Sequence, residues 1–544
     1  MAASTTPQNG THEVTNQAPP MEGRNLFTDH RALIEGVERE GAGWARDRLV
    51  ETGAIWGGEP LEWARQANEN PPILRTHDRY GHRIDEVEFH PAYHKLMALS
   101  SEQGAHSGPW TEPRDGAHVA RVAGAICGGQ VESGHGCPMT MTFAAIPALR
   151  KAPDVLAEWG PLLTANAYDP ELKPASEKGS AKCGMAMTEK QGGSDVRANT
   201  TRAECIGGDE YVLTGHKWFC SAPMCDLFLV LAQTDEGVSC FAVPRILPDG
   251  GRNVFRLQRL KDKLGNKSNA SSEVEFDGTW GRLVGEAGRG VPTIIEMVAH
   301  TRLDCVVGST SGMRAGVAAA MWHATHRVAF GKRLIEQPLM RNVLADLAVE
   351  SEAATALSLR LARAYDEEDT AFKRLATAVG KYWVCKRLVP HTGEAMEVLG
   401  GNGYVEDSGM PRLFRESPLN SIWEGSGNVN ALDVLRALAK SPDVFQAYFD
   451  EVELAAGADP RLDAFVTATR AEFDDLADVE VRARRIVERL ALALQGSLLV
   501  RNAPAAVADA FCSSRLAGDW GNAFGTLPAS TDFEAIIERH AVPA

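Results

Sequence analysis

The sequence predicts an α+β protein: an N-terminal helical domain, a central antiparallel β-barrel domain, a C-terminal helical bundle and an extra helical domain. Three observations carry this. Apolar residues recur at helical spacing before about residue 180 and again from about 290. Between them the chain changes to short apolar runs and period-two alternation broken by turn residues. Beyond about 440 a further helical stretch follows, rich in Ala, Leu, Asp and Arg.

Residues 1–25 are polar, with Thr5-Thr6-Pro7 and Pro19-Pro20. Few apolar groups offset the entropy of ordering them, so a flexible tail is expected. Residues 26–180 read as helical. The stretch Ala117–Ile126 is small and apolar, suited to close packing, and Pro147 is expected to bend or end the helix begun near Met139. Residues 181–282 form the barrel domain, with Tyr211–Phe219, Asp226–Gln233, Ser239–Pro244 and Ser272–Gly278 as strand candidates. Residues 283–440 form the bundle: Ile294–Met321, Leu339–Tyr365 and Phe372–Leu399, the last interrupted by Pro390. Residues 441–544 make the extra domain.

Composition narrows the function. The chain of 544 residues is 44% hydrophobic and carries a net charge of −16, which disfavours generic binding to nucleic acid or acidic membranes. No apolar run approaches the roughly 18 residues of a membrane span, and no signal peptide is evident, so a cytoplasmic protein is expected. The ten cysteines lack a C-x-x-C pair and read as reduced, mostly buried thiols. No metal site is expected, because His323 and His326 lie three apart without a third ligand.

No Rossmann fingerprint and no Walker lysine loop is present; Gly400-Gly401-Asn402-Gly403 lacks the required spacing. The informative loop is Met185-Ala186-Met187-Thr188-Glu189-Lys190-Gln191-Gly192-Gly193-Ser194-Asp195. Its glycines let backbone N–H groups approach an anionic ligand, and Thr188 and Ser194 add hydroxyls. A plain loop between a helix and a strand is the competing reading.

That loop resembles the T-E-x-x-x-G-S-D flavin loop of the acyl-CoA dehydrogenase family. Gly215-His216-Lys217-Trp218-Phe219-Cys220-Ser221 resembles the family's second flavin segment, with Phe219 where Trp is common and Ser221 where Thr is common. Lys263-Leu264-Gly265-Asn266-Lys267-Ser268 resembles its K-M-G-x-R-x-S turn. Arg327-Val328-Ala329-Phe330-Gly331 with Gln337 resembles the R-x-x-F-G…Q helix, which in the family reaches the FAD of a neighbouring subunit. Leu399–Tyr404 resembles the G-G-x-G segment near the adenosine half, and Ile422-Trp423-Glu424-Gly425-Ser426-Gly427-Asn428 resembles the base motif. Within the family, Met187–Asp195, Arg259–Asn266 and Asn420–Asn428 look like the AidB-like branch, associated with the adaptive response to alkylation.

The resemblance implies FAD as cofactor, held by Met185, Met187, Thr188, Gly193, Ser194, Trp218, Phe219, Ser221, Arg327, Phe330, Gln337, Gly400, Gly401, Gly403, Trp423, Ser426 and Asn428. It implies Glu424 as the base that abstracts the α-proton of an acyl-CoA-like substrate, with β-hydride transfer to flavin N5. Some family members carry the base at the position of Thr301; Thr301 is not acidic, which leaves Glu424. Arg302 sits at the family's arginine position on the substrate side, with an ion pair as the alternative role. Glu397 stands where Gln is usual. The implied acceptor is an electron-transfer flavoprotein or oxygen, and the implied assembly a homo-oligomer, a tetramer in the family's usual form. The alternative function is a DNA-binding protein of the alkylation response, protecting DNA or detoxifying alkylating agents, with weak dehydrogenase activity. Residues 441–544 hold nine arginines and no lysine against seventeen acidic residues, which disfavours that alternative. Arg482, Arg484, Arg485 and Arg489 could form a local basic face, extended by Arg436 and Lys440; the bland reading is a mixed face offset by Asp474, Asp475 and Glu488.

Overall fold

Small side chains let helices approach closely, and the N-terminal region uses them in this way. A computed structural model describes residues 11–543. Helix α1 (Ala117–Gly129) buries Val119, Val122, Ala123 and Ile126 and packs on α3 (Gly290–His326) and α4 (Pro338–Asp366). Helix α2 (Gly136–Leu149) is buried almost all round, between α3 and the sheet. It continues through Pro147 to Leu149.

The region also holds a hairpin that helical periodicity does not reveal, β1 (Ile73–His77) with β2 (Arg83–Glu88). Its turn is set by Asp78, whose Oδ1 accepts from the N–H groups of Tyr80 and His82 at 2.8 and 2.9 Å. β1 is never fully buried, so burial imposes little alternation on its sequence.

The strands that follow are β3 (Cys183–Ala186), β4 (Arg202–Gly207), β5 (Glu210–Ser221), β6 (Leu227–Thr234), β7 (Gly237–Pro244), β8 (Arg256–Leu260) and β9 (Ser271–Val284). They pair in the order β3-β6-β4-β5-β9-β7, and β6 also pairs β7, which closes the ring. Closure removes most free strand edges. The expectation of purely antiparallel strands needs correction, because β3 and β4 each pair β6 in parallel. The chain between β3 and β6 makes the long crossover that a parallel pair needs.

The bundle consists of α3, α4, α5 (Thr370–Val398) and α6 (Gly427–Lys440). Helix α5 is not interrupted at Pro390, contrary to the sequence expectation. An internal proline costs about 3 kcal/mol. Here Leu388, His391 and Thr392 are buried around it, and the His391 ring donates to the Leu347 carbonyl at 3.0 Å. Burial of each large apolar side chain contributes about 2 kcal/mol, and α5 also buries Leu375, Val379 and Val398, so packing along the helix offsets the break.

In the extra domain, α7 (Val479–Asn502) lies against α4, α5 and α6 through Ile486, Val487, Leu490 and Leu494. The final helix, Phe533–His540, returns to α4, where Arg539 and His540 both meet Glu352. Two apolar cores result. One runs through the N-terminal helices, the bundle and the extra domain; the other fills the barrel and takes in α2 and the start of α3.

The expected flexible tail falls partly outside the described residues. Its later part is docked: Asn16 Oδ1 accepts from Val328 N–H at 2.7 Å, its Nδ2 donates to Val328 O at 2.8 Å, and Trp322 Nε1 donates to Pro19 O at 2.7 Å. Backbone and side-chain hydrogen bonds hold this segment where apolar burial does not.

Candidate active site

At the seam between the two cores lies a cavity of about 1310 Å³. Glu424 lines it from a turn just before α6. This turn is unusual, since Glu424 has φ +57° and Gly425 φ +95°. Three consecutive carbonyls of the turn are held by buried side chains. Lys381 Nζ donates to Trp423 O at 2.8 Å and also to Gly425 O, and Arg302 Nε donates to Glu424 O at 3.0 Å. The Asn430 amide also binds Gly425 O. The Glu424 N–H has no acceptor among the described residues.

The Glu424 carboxylate meets α3. Thr301 Oγ1 donates to its Oε2 at 2.6 Å. Burial pushes the Glu424 carboxyl above its ordinary range, and the Thr301 hydrogen bond and the nearby Arg302 and Lys381 charges only partly oppose this. Arg302 lines the cavity too, and pairs with Asp433 at 2.7 Å, the ion pair weighed as its alternative role.

The opposite wall comes from the loop after β3 and from β5. Met185, Met187, Thr188, Gly193, Ser194, Phe219 and Ser221 line the cavity, as do Trp423 and Ser426. Gly193 is required here, because a Cβ would stand 2.5 Å from Thr188 Oγ1. The loop is braced from behind by Glu189 and Lys217, both fully buried and 2.8 Å apart. Burial works against the Glu189 charge, but Lys217 outweighs it and holds the carboxyl at about 2.

The other expected site residues lie elsewhere. Trp218 does not line the cavity, because strand alternation turns it to the face opposite Phe219; its N–H donates to Thr188 O at 2.8 Å and so holds the loop. Asn428 instead accepts from Arg484 Nε at 2.8 Å. Arg327, Phe330, Gln337, Gly400, Gly401 and Gly403 are outside the cavity, with Phe330 99% exposed. The tail touches this second region, since Arg327 donates to Asn16 O and Asn402 donates to Gln17 Oε1 at 3.2 Å.

Sequence reasoning missed a buried polar wall. Glu132 accepts from the His135 ring at 2.7 Å and from Ser268 Oγ at 2.7 Å. Burial raises the Glu132 carboxyl, but His135 and Ser268 outweigh it and keep it below the usual range. Arg121 forms a bidentate pair with Asp304 at 2.6–2.7 Å, which also accepts from Thr140. Glu132 and His135 at i, i+3 were the only local signal.

The arginine run of the extra domain converges on one acid. Glu472 lies 2.9 Å from Arg482, 3.1 Å from Arg485 and 3.9 Å from Arg489. The offsetting acid is thus Glu472, rather than the acids picked from the sequence. Nine of the ten cysteines are buried, and Cys205 is exposed. No described helix is long and apolar enough to cross a membrane.

Three family models match the chain: the adaptive response protein AidB N-terminal domain over residues 16–170, the acyl-CoA dehydrogenase middle domain over 184–279, and its C-terminal domain over 288–439. A putative acyl-CoA dehydrogenase AidB of Escherichia coli is 47% identical over 513 residues, covering 93% of this chain and 94% of that protein. Acyl-CoA dehydrogenase family member 11 of Caenorhabditis elegans is 33% identical over 72% of this chain and 66% of that protein. The crystal structure of Caenorhabditis elegans ACDH-11 in complex with C11-CoA matches with a TM-score of 0.83 at 27% identity, covering 98% of this chain and 93% of that one.

Proposed function

From the premise that this chain belongs to the acyl-CoA dehydrogenase family and is a dehydrogenase-like oxidoreductase, we propose that it oxidises an acyl-CoA at the α and β carbons, with Glu424 as base and FAD as cofactor. The observation that carries this reading is Glu424, buried in a large cavity opposite the Thr188–Ser194 loop and Ser221.

The cavity residues fit FAD. Its volume of about 1310 Å³ exceeds the ~300–1,000 Å³ of ordinary ligand pockets, so it has room for a flavin ring and a second ligand. Thr188, Ser194 and Ser221 offer hydroxyls, Met185, Met187, Phe219 and Trp423 offer flat or yielding apolar surface, and Gly193 keeps the floor open. When bound, FAD supplies the two-electron acceptor for the β-hydride.

The chain's own residues do the rest. Glu424 takes the α-proton, and its elevated affinity for protons makes it a stronger base than an exposed carboxylate. Thr301 aims its Oε2. The unpaired Glu424 N–H is free to donate to the thioester oxygen as charge develops there. Arg302 and Lys381 fix the turn so that the carboxylate and this N–H are presented together. The bond between α and β carbons becomes double as the proton and the hydride leave.

The family relation also supports a homo-oligomer, of tetramer form, in which Arg327, Phe330 and Gln337 of one copy complete the cofactor site of another; electrons then pass to an electron-transfer flavoprotein or oxygen. The ACDH-11 complex with C11-CoA supports an acyl-CoA substrate. DNA protection is the less favoured reading, because Glu472 gathers three arginines of the basic run. The test is to reconstitute the protein with FAD and add a panel of acyl-CoAs. Loss of the oxidised flavin band with wild type, and its persistence in Glu424→Gln, is expected. A protein that stays colourless after reconstitution, or a Glu424→Gln variant that bleaches at the wild-type rate, overturns the reading.

A further inference from the structure

A half-buried lysine in the cavity wall has no role in the chemistry above. Lys263 lies between β8 and β9, and its ammonium donates to Asn269 O at 2.6 Å and to Ser271 Oγ at 3.3 Å. Ser271 Oγ lies 3.1 Å from Ser221 Oγ. Lys263, Ser271 and Ser221 all line the cavity that Glu424 lines.

Two features make this chain informative. Its charge is not locally compensated: no carboxylate forms an ion pair with Lys263 among the described residues. The acids nearest in influence are engaged elsewhere, Glu416 with Asn266 at 2.6 and 2.9 Å and Glu132 with His135. The neighbouring Cys137 thiol is pushed up to about 12 by burial, so it is neutral near pH 7 and supplies no counter-charge. Secondly, the chain has a favoured direction. Donation from the ammonium to Ser271 Oγ polarises the Ser271 hydroxyl, which favours Ser271 as donor to Ser221 and leaves the Ser221 hydrogen for a ligand in the cavity.

We infer that Lys263 is a positioning residue for the redox step: through Ser271 it fixes Ser221 as a donor to the bound flavin and places a positive charge behind it. The inference rests on the FAD reading above. A reduced flavin is richer in electron density than an oxidised one, so a directed donor and a nearby cation favour reduction. A lysine that only clamps the turn at Asn269 O would affect melting and leave the cofactor's redox balance alone.

The experiment measures the midpoint potential of bound FAD in reconstituted wild type, Lys263→Met, Lys263→Arg and Ser271→Ala. Lys263→Met and Ser271→Ala are expected to shift the two-electron equilibrium toward oxidised flavin about tenfold, roughly 30 mV. Lys263→Arg is expected to recover part of this. Wild type that takes up no FAD overturns the proposed function and this inference together. Wild type that binds FAD with a potential unchanged in Lys263→Met overturns the inference alone. If Lys263→Met does not fold, an unchanged potential in Ser271→Ala overturns it equally.

Discussion

Glu424 combines a costly backbone with a costly side chain. A non-glycine residue at φ +57° costs about 1–3 kcal/mol and persists only where its surroundings over-determine it. Lys381, Arg302 and Asn430 provide that here by holding the carbonyls of residues 423–425. The side chain brings a pH dependence whose sign is fixed. Its folded pKa is raised by burial, so its contribution to stability is present below the unfolded pKa and is lost as pH rises through the folded one. Glu424→Gln removes that loss. Its unfolding temperature relative to wild type is therefore expected to increase as pH rises above the ordinary carboxyl value of 4.5, and paired thermal melts along that rise check this. Flavin bleaching by acyl-CoA is expected to accelerate over the same rise, as the carboxyl ionises. Thr301→Ala removes the hydrogen bond that favours the ionised form, so the pH midpoint of bleaching moves higher. Glu424 was legible because its motif is contiguous. Arg121 with Asp304 was not, because the partners stand 183 residues apart and nothing local marks either.

The loop after β3 depends on an ion pair that never touches the cavity. Lys217 and Glu189 are fully buried, and removing one partner leaves the other charge unpaired at about 3–5 kcal/mol. Lys217→Met is expected to lose that much stability in denaturant unfolding and to release FAD more readily, since Glu189 also accepts from the N–H groups of Thr200 and Thr201. Helices and barrel strands were largely legible because each carries a burial period along its own length. The β1–β2 hairpin was not, because its faces are only partly buried. Pro390 misled for a related reason: propensity predicts a break, while apolar burial along the helix keeps α5 whole. The tail shows the converse, a polar segment placed by Asn16 against Val328. Asn16→Ala is expected to free it, read as faster proteolytic cleavage within residues 11–25 while the rest of the chain stays intact.

Over the whole molecule, several large apolar side chains remain in solvent away from the cavity: Phe330 at 99% exposure, Leu339 at 84% and Tyr404 at 80%. Phe330 belongs to, and Leu339 adjoins, the segment that the proposed function assigns to a neighbour's cofactor site, so an interface there would cover them. Phe330→Asp is expected to lower both the mass measured in solution and the FAD content after gel filtration. A smaller mass with unchanged FAD content would separate assembly from cofactor binding. The overall charge of −16 and the clustering of Arg482, Arg485 and Arg489 on Glu472 predict no salt-sensitive retention of duplex DNA at about 50 mM salt. The proposed assembly rests on resemblance alone, because an exposed Phe330 in a single sequence looks no different from a buried one.

The meeting of Glu352 with Arg539 and His540 sets an order of events during synthesis. Glu352 is buried in the middle of α4, and the partners that satisfy it are 187 and 188 positions later in the chain. A ribosome adds about 5–20 residues per second, and domains settle as they emerge. The bundle must therefore wait several seconds or more with an uncompensated carboxylate, until the helix Phe533–His540 has emerged. Loss of the eight residues Phe533–His540 should be far more damaging than their number would suggest, and a holdase acting before they emerge would have a defined window in which to act.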